Sequence, residues 1–386
     1  MTTSKTQRLY FVDYLRVALI LLVIAHHAGQ AYGPTGGTWP ITDPESSQLL
    51  SPFFAVNPMF FMGLFFLVAG YFVPLAFDRK KAGSFSKGRF LRLGIPTLFF
   101  ALFVFGPIAY LSRPGQPSFV EFVRYLYKTG WQELYIHLWF LVHLLVYSLV
   151  YVVWRLVAGW VRRPDPSAPP GLKVGLPQRV VIQHGAILLF VIALALVAYV
   201  VRIKYPIDRW VPFLIFPVEP AHLPQYVSMF VIGILAYRGD WLRRLPTATG
   251  MIWLAIGLAA AAGYYVYDLI LAQSLPEIVA IGGKSWQSLV FCTWEALVCA
   301  GLGVGLLVLF RERLKGAPGK LLVAMVGAAF GAYIIHLLVV LGVQAGMDAV
   351  TLAPFIKFII VTIIAAILSF GIAYLAKKLP GLKRIL

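Results

Sequence analysis

Long apolar runs alternate with short polar segments along the whole chain. Each run is close to the roughly 20 apolar residues that a helix needs to cross the hydrocarbon core of a membrane. The pattern predicts an all-α fold, a polytopic integral membrane bundle of about ten transmembrane helices. The predicted spans are residues 9–31, 51–77, 90–112, 134–161, 181–201, 223–238, 249–271, 286–310, 321–345 and 353–376, the sixth being the shortest.

The first apolar run carries the ionisable residues Asp13, Arg16, His26 and His27 within a stretch long enough to span a bilayer. An Asp or Arg near the middle of a membrane helix costs roughly 2.5 to 3.5 kcal/mol on insertion scales, so such a residue calls for a function. At about 100° per residue, Arg16 and His27 lie within roughly 20° of each other and about 16 Å apart along the axis. Asp13 lies on the same side, and His27 is better aligned than His26. We therefore predict a polar stripe that connects the two halves of the membrane.

Each of these residues also has an ordinary structural interpretation. Arg16 can extend its side chain to the nearer membrane interface. His27 can be an interfacial histidine that is hydrogen-bonded to a loop. Asp13 can pair with Arg16 three positions along the helix. The alignment of all three residues on one side of the helix favours a shared function.

The composition indicates a membrane protein. Of the 386 residues, 60% are hydrophobic and 12% are charged, and the mean hydropathy is +0.82, whereas soluble domains are about 45–50% apolar. The net charge of +18 is scattered between apolar runs, so it indicates topology rather than nucleic-acid binding. Cys292 and Cys299 share one apolar run and indicate neither a disulfide framework nor a thiolate metal site. We expect no metal.

The distribution of Lys and Arg predicts the orientation of the spans. If the N-terminus is cytoplasmic, most Lys and Arg residues fall in inside segments such as 79–92, in agreement with the positive-inside rule. The first outside loop, 33–50, contains Asp43 and Glu45 but no Lys or Arg. We therefore predict that both termini are cytoplasmic.

The chain is predicted to form one membrane domain, 1–386. The Pro-rich segment 162–180 cannot continue a helix and is interpreted as a cytoplasmic linker within that domain. The first run contains Asp13 and Arg16, unlike the shorter apolar core of a secretory signal. We interpret it as a retained span.

The predicted topology brings ionisable residues of several spans to one level near the outside. His27, His143, Glu295 and His336 fall in the outer half, and His137, Glu219, His222 and Asp268 fall near the outer rim. A histidine can take a proton from a hydroxyl group, and a carboxylate such as Glu295 can fix its tautomer or stabilise the imidazolium. Glu295 can equally cap a helix contact.

The cytoplasmic side carries a different set of residues. Arg89 and Arg92 share a helix face and offer forked donors that suit phosphate oxygens, and Lys87 precedes them. An ordinary positive-inside cluster is the alternative interpretation. Together, the two levels suggest an enzyme that holds a phosphate-bearing donor from the cytoplasm and reaches a neutral acceptor from outside.

Other polar and aromatic residues give weaker indications. Trp139 and His143 share a helix face, although a tryptophan near an interface is usually an anchor. The same two interpretations, sugar stacking or anchoring, apply to Trp39, Trp131 and Trp210. Arg155 and Lys357 lie near span ends and are expected to extend to the interface.

Several blocks of the sequence resemble the bacterial membrane acyltransferase-3 family, and within it the glucan biosynthesis protein C-like branch. The first is RLYFVDYLRVALILLVIAHH, with its Arg-x10-His from Arg16 to His27. The others are FFLVAGYF at 65–72, KGRFLRLGIP at 87–96, HLWFLVHLLV at 137–146, HLPQYVSMFVIGILAYR at 222–238, TWEALVCAGLG at 293–303 and AYIIHLLVV at 332–340. The blocks follow one another in family order from the first span to the ninth.

The resemblance implies a ten-span bundle in the plasma (bacterial inner) membrane. It also implies that the protein moves an acyl group, acetyl or succinyl, from cytoplasmic acyl-coenzyme A to a hydroxyl of an extracytoplasmic glycan or related acceptor. The family's catalytic histidine corresponds to His27, its arginine to Arg16, and its donor-site pair to Arg89 and Arg92. Ala69 stands where the family has a serine, which puts a role for that hydroxyl in doubt. The resemblance includes no fused soluble domain, so acceptor recognition is expected from the outer loops.

We therefore predict a membrane O-acyltransferase that uses acetyl-CoA or succinyl-CoA as co-substrate. His27 would act as base or acyl carrier with Glu295 assisting, and Asp13 would position Arg16. The donor would bind Arg16, Lys87, Arg89 and Arg92. The acceptor would bind Trp139, His143, Glu219, His222 and His336. A secondary transporter with an intramembrane Asp/Arg/His relay is the main alternative, and a structural assembly factor is another.

Overall fold

The computed structural model describes residues 8–34, 39–111, 115, 118–129, 132–161, 183–213, 216–275 and 279–382. Ten long helices run through these residues, with short helices and one two-stranded sheet between them. The predicted helical membrane bundle is thus confirmed. The predicted linker at 162–180 and Trp131 lie outside the described residues.

The long helices follow the predicted spans in order. They are α1 (Tyr10–Gly29), α2 (Phe61–Arg79), α3 (82–111), α4 (Trp139–Val161), α5 (His184–Arg202), α6 (Leu223–Gly239), α7 (Thr247–Val266), α8 (Trp286–Arg313), α9 (Lys320–Gly346) and α10 (Pro354–Ala376). Short α-helices lie at Ser51–Val56, Phe119–Thr129, Gln132–Tyr135 and Trp241–Arg244. Short 3-10 helices lie at Gln48–Leu50, Asn57–Met59, Ile136–Leu138 and Pro220–His222, and a π-helical turn, Tyr267–Leu271, continues α7. Strands β1 (Val211–Phe213) and β2 (Phe216–Val218) pair antiparallel between α5 and α6.

Nine helices of the described part of the chain are long and apolar enough to cross a membrane. The remaining one, α6, has 17 residues, about the lower limit for a span. A Cβ atom added at Gly70 or Gly233 would overlap backbone atoms of the other helix, which shows that the backbones of α6 and α2 are in direct contact. Small residues permit this close contact between membrane helices.

Helix α3 contains two π-helical turns, Phe90–Gly94 and Ala101–Phe105. Pro96 has no N–H group to bond the carbonyl of Arg92, and Pro107 likewise leaves Phe103 without its i+4 donor. Both carbonyl groups fall inside the π turns, which accommodate the missing hydrogen bonds. The first of these turns carries Arg92.

The outward surface of the bundle is strongly apolar. Phe103, Trp160 and Leu189 expose 70%, 83% and 67% of their surface. Exposed apolar surface on this scale needs a partner, and lipid is the one that fits nine spanning helices.

Helix α1 is the centre of the bundle and packs against α2, α8, α9 and α10. The loop after it folds back over its C-terminal end. The N–H of Asp43 donates to the carbonyl of Ala31 (2.9 Å), and the N–H of Ser47 donates to that of Tyr32 (2.8 Å). The end of α1 that carries His27 is therefore enclosed by helices and by its own loop.

Candidate functional site

Three histidines from three elements meet near the C-terminal end of α1. His27 lies on α1, His336 on α9, and His137 in the 3-10 turn that precedes α4. The ring centroids are 5.1 Å apart for His27 and His336, 4.7 Å for His137 and His336, and 6.5 Å for His27 and His137. We call these residues the histidine cluster. Neighbouring His26 packs instead against Phe53, Phe54 and Phe61 as well as His27.

Backbone carbonyl groups fix the protonation of two members of the cluster. Nδ1 of His336 lies 2.6 Å from the carbonyl oxygen of Tyr333, and Nε2 of His137 lies 3.0 Å from that of Ile334. A carbonyl oxygen only accepts hydrogen bonds, so each of these nitrogens carries a proton. In the neutral rings, Nε2 of His336 and Nδ1 of His137 are then acceptors. Both atoms, and Nδ1 of His27, are buried without a hydrogen-bond partner in the described part of the chain.

The backbone turn that carries His137 is strained. Ile136 has a φ of +38°, a region that a β-branched residue rarely adopts. The hydroxyl of Tyr333 donates to the carbonyl oxygen of His137 over 2.5 Å, which holds this turn against α9. Backbone strain of this kind persists where surrounding contacts over-determine the conformation, often at functional sites.

A tryptophan from the first loop covers His27. The indole of Trp39 stacks on the imidazole, with centroids 5.6 Å apart and planes at 18°. Its Nε1–H donates to Oε1 of Gln344 on α9 (2.8 Å), and Nε2 of Gln344 donates to the carbonyl of Ala28 (3.0 Å). Gln344 therefore fixes both the tryptophan and the end of α1.

A buried ion pair anchors the same loop. Nζ of Lys357 lies 2.5 Å from Oδ2 of Asp43, with side chains 6% and 9% exposed. The expectation that Lys357 extends to the membrane interface is therefore wrong, because its ammonium group has a partner inside the protein. Arg155, at the end of another span, pairs with Asp78 over 2.9 Å.

A cleft of about 370 Å³ enters the bundle from the opposite end of α1. Its charged end is lined by Arg16, Lys80, Arg89 and Arg92, and its apolar walls include Phe65, Ala69, Phe72, Phe140 and Leu141. The predicted Arg16, Arg89 and Arg92 thus line one cleft. Lys87 is exposed on α3 and is not among its lining residues.

Tyr333 lies between the cleft and the histidine cluster. Tyr333 lines the cleft, and its ring lies 5.6 Å from that of His137 and 5.7 Å from that of His336. Arg16 lines the cleft, whereas His27 belongs to the histidine cluster near the C-terminal end of α1, and Tyr333 adjoins both the cleft and the cluster.

Asp13 takes a different partner from the predicted one. Its carboxylate pairs with Arg8 over 2.7 Å. Within the described residues, no carboxylate lies within ion-pair distance of Arg16, and the Asp13–Arg16 pair is absent. The guanidinium of Arg16 is thus available to the cleft.

Glu295 belongs to a second buried group, made with Arg202, Glu219 and His222. It forms an ion pair with Arg202, and its Oε1 lies 3.7 Å from Nε2 of His222. Glu219 bonds Nδ1 of His222 (2.8 Å) and accepts from the backbone N–H of Asp208 (2.8 Å). We call Arg202, Glu219, His222 and Glu295 the acidic group. In the described part of the chain, Glu295 makes no contact with His27.

The Glu219–His222 pair perturbs both partners. Burial disfavours the charged form of each residue, but their mutual attraction and hydrogen bond outweigh it. The pKa of Glu219 is consequently lowered, and the pKa of His222 is raised. Each partner therefore favours the ionised form of the other.

Tyr226 connects the acidic group to the predicted residue Trp139, and the predicted residue His143 packs against the same tryptophan. The ring of Tyr226 stacks on Trp139 (5.2 Å) and on His222 (5.8 Å). His143 lies 5.3 Å from Trp139, and Trp210 lies 6.0 Å from it. Four of the five predicted acceptor residues thus lie together, while His336 belongs to the histidine cluster.

Sequence reasoning did not single out Arg202 or Gln344. Arg202 lies one residue beyond the predicted span 181–201, and it is fully buried and also contacts Cys292 (3.6 Å). The signal was its place at the end of an otherwise apolar run. Gln344 offered a similar signal as a lone amide in α9.

No group of three or more His, Cys, Asp or Glu side chains among the described residues is arranged to hold a metal ion.

Comparisons with known proteins agree with this architecture. Glucans biosynthesis protein C of Escherichia coli (strain K12) is 27% identical over 352 residues, which cover 87% of this chain and 83% of the relative. The protein of the same name from Salmonella typhi is 24% identical over the same lengths. No solved structure matches the chain significantly. A family described as an acyltransferase domain, acyltransferase-3, matches residues 9–376. Because this match runs from the first helix to the last residue of α10, the chain belongs to the membrane acyltransferase-3 family.

Proposed function

We propose that the protein is a membrane O-acyltransferase that moves an acetyl or succinyl group from cytoplasmic acyl-coenzyme A to a hydroxyl of an extracytoplasmic glycan or related acceptor. The observation that carries the proposal is the cleft that Arg16, Arg89 and Arg92 line at its charged end, together with Tyr333, which lines the same cleft and contacts His137 and His336. Such an arrangement suits two reagents that occupy different compartments.

The charged end of the cleft suits the phosphates of the donor. Arg89 and Arg92 offer planar, forked N–H donors that match phosphate oxygens, and Arg16 has no carboxylate partner among the described residues to compete. The aromatic and aliphatic walls suit the pantetheine arm and the acyl chain. The thioester would then lie near Tyr333 and the histidine cluster.

The acceptor would approach from the end covered by Trp39. Indole faces stack well on sugar rings, and the related proteins carry a name that refers to glucans. Trp139, His143, Glu219 and His222 would provide further contacts to a glycan. This assignment puts His27 between donor and acceptor.

His27 acts in this proposal as the general base. It takes the proton of the acceptor hydroxyl while the hydroxyl oxygen forms a bond to the thioester carbonyl carbon. The carbon–sulfur bond then breaks, and His27 returns the proton to the leaving thiolate. Catalysis through an acyl-histidine intermediate is the variant of this scheme, in which His27 carries the acyl group between the two reagents.

The orientation proposed for the bundle follows from charge and helix number. Ten crossings return the chain to the side on which it began, and the Lys and Arg clusters favour the cytoplasm for that side. Both termini, Arg89 and Arg92 would then face the cytoplasm in a bacterial inner membrane.

The test is release of free thiol by the purified protein from a panel of acyl-coenzyme A donors, with and without glycan acceptors. We expect release with acetyl- or succinyl-coenzyme A and its loss in a folded His27→Ala variant. A folded variant that turns over as fast as the wild type excludes His27 as the base. Solute flux in proteoliposomes without thioester cleavage would instead support the transporter. An acyl adduct on His27 in acceptor-free samples would support the carrier scheme.

A further inference from the structure

His336 carries a buried ring nitrogen for which the described protein supplies no partner. The side chain is 0% exposed, and its Nδ1–H is committed to the carbonyl of Tyr333. Its Nε2 therefore holds a lone pair inside the core, where an unmatched acceptor is costly. Nδ1 of His27 is also buried and unpartnered.

The two unmatched atoms belong to neighbouring rings. The centroids of His27 and His336 are 5.1 Å apart with the ring planes at 36°, and the two nitrogens do not bond each other in these ring orientations. Rotation of the His27 ring towards His336 would bring the two nitrogens within hydrogen-bonding distance. His137 also has a free Nδ1, but its ring lies farther from His27, at 6.5 Å. His336 is thus the nearer of the two acceptors.

We propose that His336 is the positioning residue for His27: when the His27 ring turns towards it, its Nε2 accepts a hydrogen bond from Nδ1–H of His27 and holds His27 in the tautomer whose Nε2 is free to act as base. This inference rests on the function proposed above. Glu295 was the sequence-based candidate for this role, but it is engaged by Arg202 and His222. The group that accepts the hydrogen bond from Nδ1–H of His27 is therefore an imidazole, whereas in the Ser-His-Asp arrangement the corresponding acceptor is a carboxylate.

The proton balance closes without another reagent. Nε2 of His27 takes the hydroxyl proton as the carbon–oxygen bond forms, and the imidazolium keeps its Nδ1–H bonded to His336. When the carbon–sulfur bond breaks, the proton on Nε2 of His27 passes to the thiolate. His336 changes neither its charge nor its proton, because its Nδ1–H stays on the Tyr333 carbonyl.

The groups around His336 leave it as a neutral acceptor. Its ring contacts are with His27, His137 and Tyr333. The described residues place no carboxylate in contact with it. A neutral acceptor orients His27 without the strong ion pair that a buried carboxylate would form with the imidazolium.

Two isosteric amides separate this role from a purely structural one. In His336→Asn the amide occupies the place of Nδ1, so it keeps the bond to the Tyr333 carbonyl but offers nothing at Nε2. In His336→Gln the amide oxygen reaches the place of Nε2 and can accept from His27. A structural role predicts that Asn is the better replacement, whereas the positioning role predicts Gln.

The experiment compares kcat and donor KM of both folded variants in the thiol-release assay. We expect His336→Asn to lose about 100-fold or more in kcat, the size of a general-base contribution, with donor KM unchanged. His336→Gln should stay within about 10-fold of the wild type. Equal activity of both variants, or Asn above Gln, would overturn the inference.

A spectroscopic measurement on the wild-type protein needs neither a variant nor turnover. Nitrogen-15 NMR of labelled histidine, with His27 assigned by its loss in His27→Gln, should find the proton of neutral His27 on Nδ1. A proton on Nε2 would overturn the inference. Absence of thiol release from the wild type with every donor would count against the proposed function, and this tautomer readout would still be obtained.

Discussion

Arg202 and Glu295 form an ion pair whose side chains are 0% and 4% exposed, and the pair joins the last residue of α5 to the third turn of α8. Arg202 also donates to the carbonyl of Ala221 over 3.4 Å, in the 3-10 turn that precedes α6. One guanidinium thus connects α5, α8 and this turn. A buried pair gives little net stability over apolar side chains, but loss of one partner leaves an uncompensated charge.

Arg202→Met should therefore be strongly destabilising, by about 3–5 kcal/mol. Arg209→Met is the matched control, because Arg209 is exposed and its guanidinium donates to the carbonyl of Lys204 and lies over the ring of Tyr205. The double variant Arg202→Met with Glu295→Met should recover much of the loss. Thermal unfolding in detergent measures all three, and equal midpoints for Arg202→Met and Arg209→Met would contradict the buried-pair interpretation.

The Glu219–His222 pair should make stability depend on pH in both directions. The lowered pKa of Glu219 contributes stability that is present above its ordinary value, about 4.3, and is lost as pH falls through the folded value. The raised pKa of His222 contributes stability that is complete below about 6.5 and is lost as pH rises through the folded value. The contribution of this pair should be largest between about pH 4.5 and 6.5.

Unfolding followed across pH tests this expectation. His222→Gln should lower the free energy of unfolding near pH 6. It should also remove the part of the fall in unfolding free energy at higher pH that comes from loss of the His222 proton. Unchanged slopes on the alkaline side in His222→Gln would show that the pair is not the source of the dependence.

Gly233→Ala should weaken the contact between α2 and α6. The added methyl group would overlap the carbonyl oxygen of Leu67, and forced overlap in a packed core costs about 1–3 kcal/mol. Gly263→Ala is the control, because nothing lies within 4 Å of its added Cβ. That change should be neutral or stabilising by up to about 1 kcal/mol, since Ala favours the helix. Similar unfolding midpoints for the two variants would argue against direct backbone contact.

In the proposed donor site, Arg89→Gln and Arg92→Gln should each raise the KM for acyl-coenzyme A about tenfold, because a hydrogen bond to a charged group contributes about 1.5–3 kcal/mol. The kcat should change little, since the phosphates keep their position during the transfer. Lys87→Gln is the matched control from the same segment, exposed and outside the cleft. An equal rise in KM for Lys87→Gln would indicate a general charge effect instead of a defined phosphate site.

The helical period was sufficient to predict contacts within one element. Arg16 and His27 share a side of α1 because residues eleven apart nearly complete three turns, and Arg89 and Arg92 share a face for the same reason. Apolar length likewise predicted the ten helices, including the short α6. These features depend on local geometry that the order of residues specifies.

Contacts between distant elements were beyond such reasoning. The prediction placed Glu295 beside His27 because both residues have the same expected depth in the membrane. In the bundle, however, α5 is the neighbour of α8 at this position, and Glu295 pairs with Arg202 of α5. The Lys357–Asp43 pair and the Trp39–Gln344 bond join a loop to helices about 300 residues away. Charge and burial imply that such residues need partners, but the packing of the bundle selects them.

Cys292 and Cys299 are the only cysteines of the chain and are 1% and 0% exposed. A membrane-impermeant maleimide added to intact cells therefore meets no accessible native thiol on this protein. Single cysteines introduced into loops 33–50 or 79–81 can report their compartment in the wild-type background, without first replacing residues beside Arg202. The unmodified chain serves as its own blank.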